Sequence, residues 1–555
     1  MSIPTSASEK SRSTGNYDHH GDRSNILVAA AIGDCVHIAG ILGFLDLAQS
    51  AGYEPVFLGP ATPVEDLVAK AKELNATAIA VSYRLAPSAA QNLLSELKRQ
   101  MEGAGLTGLT GMNTSIKLFF GGTPATCDVA DRLGIFDAVF SGGESREDVL
   151  DELLGRKRAG RPEALPDTLI ARIRAKKPLP LIRHHFGLPT VDATVKGAAE
   201  IAEAGVLDVL SIGPDQNAQE YFFTPDKMDP RQDGAGGVPV RTKEDLRRIY
   251  EATRRGNRPL VRCYSGTTNL IPMAEMLQET IRNAWCAVPL CWYNVLDGRS
   301  KRPLREAIAE NQATMRWHAE RGIPVEVNEA HHWSLRGADD VVAVAMAYLA
   351  AYNAKKMGVK HYVSQYMLNT PPATPPAMDI AKMLAKIHLI ESLHDENFKS
   401  YRQVRGGLAS FSKDPDVAKG QLASSIALGM FLKPDIVHVV GYSEGMDVAR
   451  PDQLIESCKI ALGVIHRWID GVPDVEEDPA ITRRKKELLD GARSLLDRIG
   501  ALAGEIRSEA QGEIQGLTAK KLVDDDPFTS PDVIAAAIQR GILTAPDLRG
   551  GVRGR

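Results

Sequence analysis

The amino-acid sequence predicts an α/β protein: a doubly wound parallel sheet, then a barrel of eight parallel strands, then a helical appendage. Three observations predict it. Short apolar runs alternate with amphipathic helical patterns from Asn25 onward, which is the pattern of strand-helix units feeding a parallel sheet. A charged, proline-containing stretch over residues 156–177 interrupts the alternation and reads as a linker. Beyond Trp468 the strand signals stop and long charged helical patterns take over.

Residues 1–24 are rich in Ser, Asp, Arg and His without a hydrophobic period, and are expected to form a disordered leader. The first unit, residues 25–155, opens with the apolar run Ile26 to Ile32, suited to a buried parallel strand. That run stops at Gly33-Asp34; His37 follows on a loop, and Ile38 to Leu47 reads as an amphipathic helix. Further strands are predicted at Pro55 to Leu58, Thr77 to Val81, Ser115 to Phe120 and Phe136 to Phe140, with helices over Val64 to Leu74 and Ala90 to Met101. Ligands of open α/β sheets bind beyond the carboxyl ends of the strands. His37, Ser82, Gly121-Gly122 and Gly142-Gly143 all fall there.

These landmarks resemble a cobalamin-binding domain. That family carries Asp-x-His-x-x-Gly after its first strand, a Ser-containing turn after the third and Gly-Gly after the fourth. Here the matching residues are Asp34, His37, Gly40, Ser82, Gly121 and Gly122, with Gly142 and Gly143 after the next strand. The resemblance implies that His37 ligates cobalt in place of the cofactor's nucleotide base, which threads into the domain core. Two residues, Cys35 and Val36, separate Asp34 from His37 where the family has one, and Tyr83-Arg84-Leu85 lengthens the Ser turn. The extra residue either bulges and leaves Asp34 bonded to His37, making the imidazole more basic, or it breaks the pair. The plainer role for His37 is to cap the loop.

The second unit, residues 178–470, contains eight apolar runs: Pro178 to Arg183, Leu207 to Ile212, Pro259 to Arg262, Ala287 to Leu290, Pro324 to Val327, His361 to Ser364, Tyr401 to Val404 and Asp435 to Val440. Most are followed by a helical pattern, so a TIM barrel is expected, with two further doubly wound domains as the competing parse. Barrel active sites lie at the carboxyl ends of the strands. The candidates there include Arg183, His184 and His185, Arg262 and Tyr264, Trp292 and Tyr293, Asn328, His331 and His332, Arg405, and Tyr442 to Glu444. Arg183 and Arg262 are suited either to a substrate carboxylate or to barrel-rim acids. In each His doublet at most one ring is expected to face the mouth, because neighbours on an extended chain point to opposite faces. Residues 471–555 are predicted to be helical, with Thr482 to Glu509 long and amphipathic and Val533 to Arg540 short.

Composition narrows the partners. The 66 basic and 70 acidic residues nearly cancel, so neither nucleic acid nor an anionic membrane is implied. No apolar run is long enough to span a membrane and no signal-peptide core opens the chain, so a cytoplasmic protein is expected. Six cysteines without paired spacing fit a reducing compartment.

The barrel region is similar to the catalytic subunit of glutamate mutase, also called methylaspartate mutase. The likeness rests on the Arg after the first strand, Gly237-Val-Pro-Val240, the Arg near the third strand's end, Trp285 leading to Tyr293-Asn294, and Tyr442-Ser-Glu444. It implies both subunits fused, cobalamin part first, and an adenosylcobalamin-dependent radical isomerase acting on a small carboxylic or amino acid. Carried over, Glu444 contacts the adenosyl ribose, Arg183 and Arg262 hold a carboxylate, and Tyr293 lies beside the substrate. A homodimer is expected. The glutamate-binding carboxylate of the family is missing from Ala287-Val-Pro-Leu-Cys-Trp-Tyr293, which argues against glutamate as substrate. A weaker likeness to lysine and ornithine aminomutases admits pyridoxal phosphate without indicating it, since only Lys413 lies near a strand end. The rival readings are a corrinoid-dependent methyltransferase and a non-catalytic cobalamin-binding protein.

Overall fold

A computed structural model of the chain describes residues 25–106, 116–144, 146–155, 165–407, 411–469, 471–513 and 526–545. The expected leader, much of the expected linker and the end of the C-terminal region lie outside the described residues. The chain divides into two compact units, Met1–Pro162 and Glu163–Arg555.

In the first unit, β1 (Ile26–Ala31), β2 (Glu54–Phe57), β3 (Ala78–Tyr83), β4 (Lys117–Gly122) and β5 (Ala138–Phe140) form a parallel sheet in the order β2-β1-β3-β4-β5. This is the flavodoxin-like order, whose chain reversal lies between β1 and β3. The near-continuous apolar character of β1 follows from cover on both faces. Leu27 and Ala29 pack with Ile41 and Leu45 of helix Ala39–Ser50, whereas Val28 and Ala30 share a core with Leu67 and Leu94 of helices Val64–Glu73 and Pro87–Ala104. Both sides of the sheet therefore carry helices.

In the second unit, β6 (Leu181–Phe186), β7 (Val209–Ile212), β8 (Leu260–Cys263), β9 (Cys286–Val288), β10 (Val325–Val327), β11 (His361–Leu368), β12 (Lys399–Gly406) and β13 (Ile436–Val439) pair in parallel in the order β8-β7-β6-β13-β12-β11-β10-β9. Two backbone hydrogen bonds span the remaining seam, Ala284 N–H to the Val261 carbonyl at 3.0 Å and Ser265 N–H to the Ala287 carbonyl at 3.3 Å. The sheet is a nearly closed eight-stranded barrel. Leu181, Val209, Leu260, Trp285, Val363, Tyr401 and Ile436 fill its floor. Helix Leu169–Lys176, which the sequence reading assigned to the linker, closes that floor with Leu169 and Ile173. Its apolar side was hidden among basic residues that face away or, like the fully buried Arg172, donate to the carbonyls of Leu165, Pro166, Asp208 and Arg258.

One register difference matters for the site. Pro178 and Pro180 have no N–H to give a ladder, so β6 starts at Leu181 and runs three residues past the predicted end. Arg183 thus lies inside the barrel rather than beyond its strand. The C-terminal region packs on the barrel's outer helices: helix Pro479–Glu513 approaches helix Asp340–Lys356 so closely that a Cβ on Gly491 would meet Val341 at 2.9 Å. Among the described residues no helix is long and apolar enough to cross a membrane.

Candidate functional site

Each unit carries a cavity at the carboxyl ends of its strands. In the first, a cavity of about 300 Å3 is lined by Gly40, Phe44, Ser82, Phe119, Gly121, Gly122, Phe140 and Gly142. A Cβ added to Gly121 would meet nothing within 4 Å, so this glycine keeps the cavity open. Gly122 differs, because its Cβ would lie 2.3 Å from Thr126 Oγ1 and 2.9 Å from the Tyr83 carbonyl. Ser82 belongs to β3 itself, and Gly143 is not part of this lining. His37 stands exposed on the loop beyond β1, with Nδ1 4.0 Å from Cys35 Sγ; Asp34 is exposed beside it. A slot with aromatic walls and glycine edges, in a unit whose loop after β1 exposes an imidazole, fits the flat nucleotide base of a corrinoid.

The barrel carries a stack of polar layers. Deepest is a charged layer fully shut from solvent. Glu326 Oε2 accepts from Trp285 Nε1 at 2.9 Å and lies 3.6 Å from Arg262 Nη1 and 3.8 Å from Arg183 Nη1. Arg183 also donates to Ser211 and Gln403 at 2.8 Å and to His185 Nε2 at 2.9 Å. Arg262 makes no such bonds: its three side-chain nitrogens are buried without a hydrogen-bond partner, and its guanidinium rests over the rings of Tyr264 and Trp285. Burial and the neighbouring Arg262 push Arg183 down to about 9, the direction expected of a cation with too little countercharge.

Above this layer lies a cavity of about 710 Å3. His185, Tyr264 and Arg405 border it from the barrel; Tyr293, Arg299, His331, His332, Arg336 and Glu444 come from the loops. Because Arg183 can only donate, His185 Nε2 accepts, and the Tyr264 hydroxyl lies 3.0 Å from the same nitrogen. Burial and then the surrounding cations push His185 and His331 well below the ordinary histidine value, and burial and His331 do the same to His332. These rings are neutral at pH 7. His331 and His332 sit on helix Glu329–Leu335, not on an extended segment, so both face the cavity, their centroids 4.6 Å apart; the expectation of one ring per doublet fails here. For His184 and His185 it holds: only the latter lines the cavity, while His184 Nε2 lies 3.3 Å from Glu444 Oε1.

Of the four barrel residues singled out from sequence, Tyr293 and Glu444 border the cavity and Arg183 and Arg262 lie in the layer beneath it. Tyr293 holds a left-handed backbone, φ 66°, uncommon for a bulky residue and costing about 1–3 kcal/mol. Asp297 receives its N–H at 3.2 Å, and Arg302 and Ser300 donate to its carbonyl. Asp297 also pairs with Arg336 at 2.9 Å, which stacks on Trp292. Sequence reasoning missed Arg299 and Arg336. Neither follows a strand, and Arg336 meets Asp297 only through folding, so no local spacing marks them.

The comparisons agree with the first unit. Residues 25–151 match the B12 binding domain model. Dimethylamine corrinoid protein 1 of Methanosarcina mazei is 32% identical over 109 residues, 20% of this chain and 47% of that protein. The dimethylamine corrinoid protein of Methanosarcina barkeri is 29% identical over 114 residues, 20% of this chain and 50% of that protein. The chain thus spans about half the length of the curated relatives it matches. Among solved structures, a cobalamin-binding protein from Desulfitobacterium hafniense is similar over 23% of this chain and 57% of that one, with 25% identity and a TM-score of 0.20. A Rubisco-like protein from Rhodopseudomonas palustris covers 55% of this chain and 70% of its own, at 11% identity and a TM-score of 0.32. Residues 25–151 are a B12-binding domain, and the domain match together with the corrinoid-protein relatives supports cobalamin binding by this chain.

Proposed function

We propose that the chain is an adenosylcobalamin-dependent isomerase that rearranges a small carboxylic or amino acid, other than glutamate, in the mouth of the barrel. The observation that carries this reading is Arg262, a fully buried guanidinium without hydrogen-bond partners that shares Glu326 with Arg183, in the layer below a cavity bordered by Arg299, Arg336 and Arg405. Leaving buried N–H donors without acceptors is costly, as is sharing one carboxylate between two buried guanidiniums, and a ligand carboxylate would relieve that cost. When bound, adenosylcobalamin supplies a carbon radical through homolysis of its cobalt–carbon bond.

The protein's own residues do the rest. His37 would offer an imidazole nitrogen to cobalt, Gly40, Ser82, Gly121, Gly122 and Gly142 would frame the nucleotide tail, and Glu444 would accept from the hydroxyls of the adenosyl ribose. Arg405 and Arg262 would hold a substrate carboxylate, with Arg183 fixing His185 beneath it, and Tyr293 would close the side of the cavity and keep water from a reactive centre. Glu326 is committed to Trp285 and two arginines, and the stretch from Ala287 to Tyr293 carries no carboxylate. This favours a substrate without glutamate's ammonium group at that position.

Corrinoid-dependent methyl transfer is the second reading, favoured by the relatives' names. Thiolate or zinc activation of a methyl acceptor has little support here. All six cysteines are buried, burial pushing Cys263 and Cys286 up to about 12, and among the described residues no three His, Cys, Asp or Glu gather as metal ligands. The test is to incubate the protein with adenosylcobalamin tritiated at the 5′ carbon and a panel of short-chain acids. Tritium entering an acid supports the isomerase; methyl loss from methylcobalamin without tritium transfer supports the alternative and overturns the first reading.

A further inference from the structure

We propose that Cys35, rather than Asp34, is the residue that orients His37 for cobalt; the inference rests on the reading of His37 as the cobalt ligand. An imidazole that gives Nε2 to a metal carries its proton on Nδ1, and the group receiving that proton fixes the ring's rotation and basicity. In this chain Nδ1 of His37 faces Cys35 Sγ at 4.0 Å. Among the described residues no hydrogen bond joins Asp34 to His37.

The loop's backbone explains the exchange. Cys35 is anchored twice, its N–H donating to the Ile32 carbonyl at 3.2 Å and its carbonyl accepting from Ala61 N–H at 2.9 Å. Its side chain is 0% exposed and belongs to the apolar core beneath the loop. Gly33 precedes it at φ 61°, where its hydrogen faces Leu93 and a Cβ would lie 2.6 Å from that side chain. This turn buries residue 35 and leaves residues 34 and 36 outside, Val36 being 63% exposed. With two residues between Asp34 and His37, the carboxylate is carried to the exposed side, where its charge bears on Tyr83. The thiol is left as the fixed partner.

A neutral sulfur accepts a hydrogen bond more weakly than a carboxylate does. His37 is therefore a more loosely oriented, more readily detached ligand than one held by aspartate.

The experiment uses the full chain, labelled with 15N-histidine and loaded with cob(II)alamin. Electron paramagnetic resonance reads ligation directly, because a 15N imidazole on cobalt splits each cobalt line into two whereas the cofactor's own 14N base splits it into three, and the twofold splitting is the one compared. Wild type, His37→Ala, Asp34→Asn, Cys35→Ala and Cys35→Ser are compared, with thermal unfolding and corrinoid affinity measured in parallel. The expected result is loss of splitting in His37→Ala, a drop of about tenfold in the ligated-to-unligated ratio in Cys35→Ala, partial recovery in Cys35→Ser, and a change under about twofold in Asp34→Asn. Splitting lost in Asp34→Asn but kept in Cys35→Ala overturns the proposal while leaving His37 as the ligand. Splitting that survives His37→Ala, or no corrinoid binding by wild type, overturns the ligand reading and this inference together. If Cys35→Ala fails to fold, Cys35→Ser decides: unchanged splitting there with loss in Asp34→Asn overturns the proposal.

Discussion

Replacing Glu326 by Gln removes one negative charge from the barrel's deepest polar layer while keeping size and an acceptor for Trp285 Nε1. Glu326 is 2% exposed, with guanidinium nitrogens at 3.6 and 3.8 Å. At an effective dielectric of about 20, Coulomb's law gives roughly 4 to 5 kcal/mol of attraction for each pair. The glutamate's own desolvation offsets a large part of that sum, and the net cost of stripping a partner from a buried pair is about 3–5 kcal/mol. Most of the cost arises at Arg262, which has no hydrogen bonds to fall back on. Chemical denaturation of the full chain, following the barrel's transition by tryptophan fluorescence, should show that loss. A change below about 1 kcal/mol would refute the reasoning, since the two guanidiniums would then have another source of countercharge. The mutant should also gain more stability than wild type from added small carboxylates, because Arg262 is then the stronger anion site.

Further perturbations test other parts of the account. Gly121→Leu should fill the first cavity and weaken cobalamin binding by at least about 100-fold with little change in unfolding, whereas Gly122→Ala should cost about 1–3 kcal/mol of stability through its clash with Thr126 and the Tyr83 carbonyl. Binding titrations and thermal melts separate the two. Glu444→Gln should weaken adenosylcobalamin about 10-fold or more and leave hydroxocobalamin unchanged, because only the former carries the adenosyl group whose ribose hydroxyls would reach the carboxylate. Burial pushes Glu329 up to about 7 from 4.5, against the opposing N–H bonds of Cys291 and Leu290. A raised carboxyl contributes stability that is full below about 4.5 and is lost as pH rises through 7, so wild type should lose up to about 3 kcal/mol across that window relative to Glu329→Gln. Parallel stability-pH curves for the two proteins would contradict this.

The order of elements was legible because parallel strands buried on both faces are locally apolar and end in recognisable turns. Seven of the barrel strands overlap their predicted runs closely, and β6 was displaced only by the prolines that precede it. The first cavity was legible in part: His37 follows β1 as expected, whereas Ser82 and Gly121 are each the next-to-last residue of their strand rather than part of the turn beyond it. Depth was not legible. Arg183 and Arg262 share the spacing of mouth residues, and only the strand register shows that they point into the interior. The helix under His331 and His332 was missed because seven residues give too short a period to distinguish from a loop. Arg336 depends on Asp297, 39 positions away, and Cys35 on the twist of a single turn.

The most direct test of the account is the absorption spectrum of the purified full chain mixed with adenosylcobalamin, repeated with His37→Ala. The account predicts tight binding with the cofactor's base displaced and histidine on cobalt, and loss of the histidine-ligated spectrum in the mutant. No binding by the wild-type chain, or identical spectra for the two proteins, would contradict it.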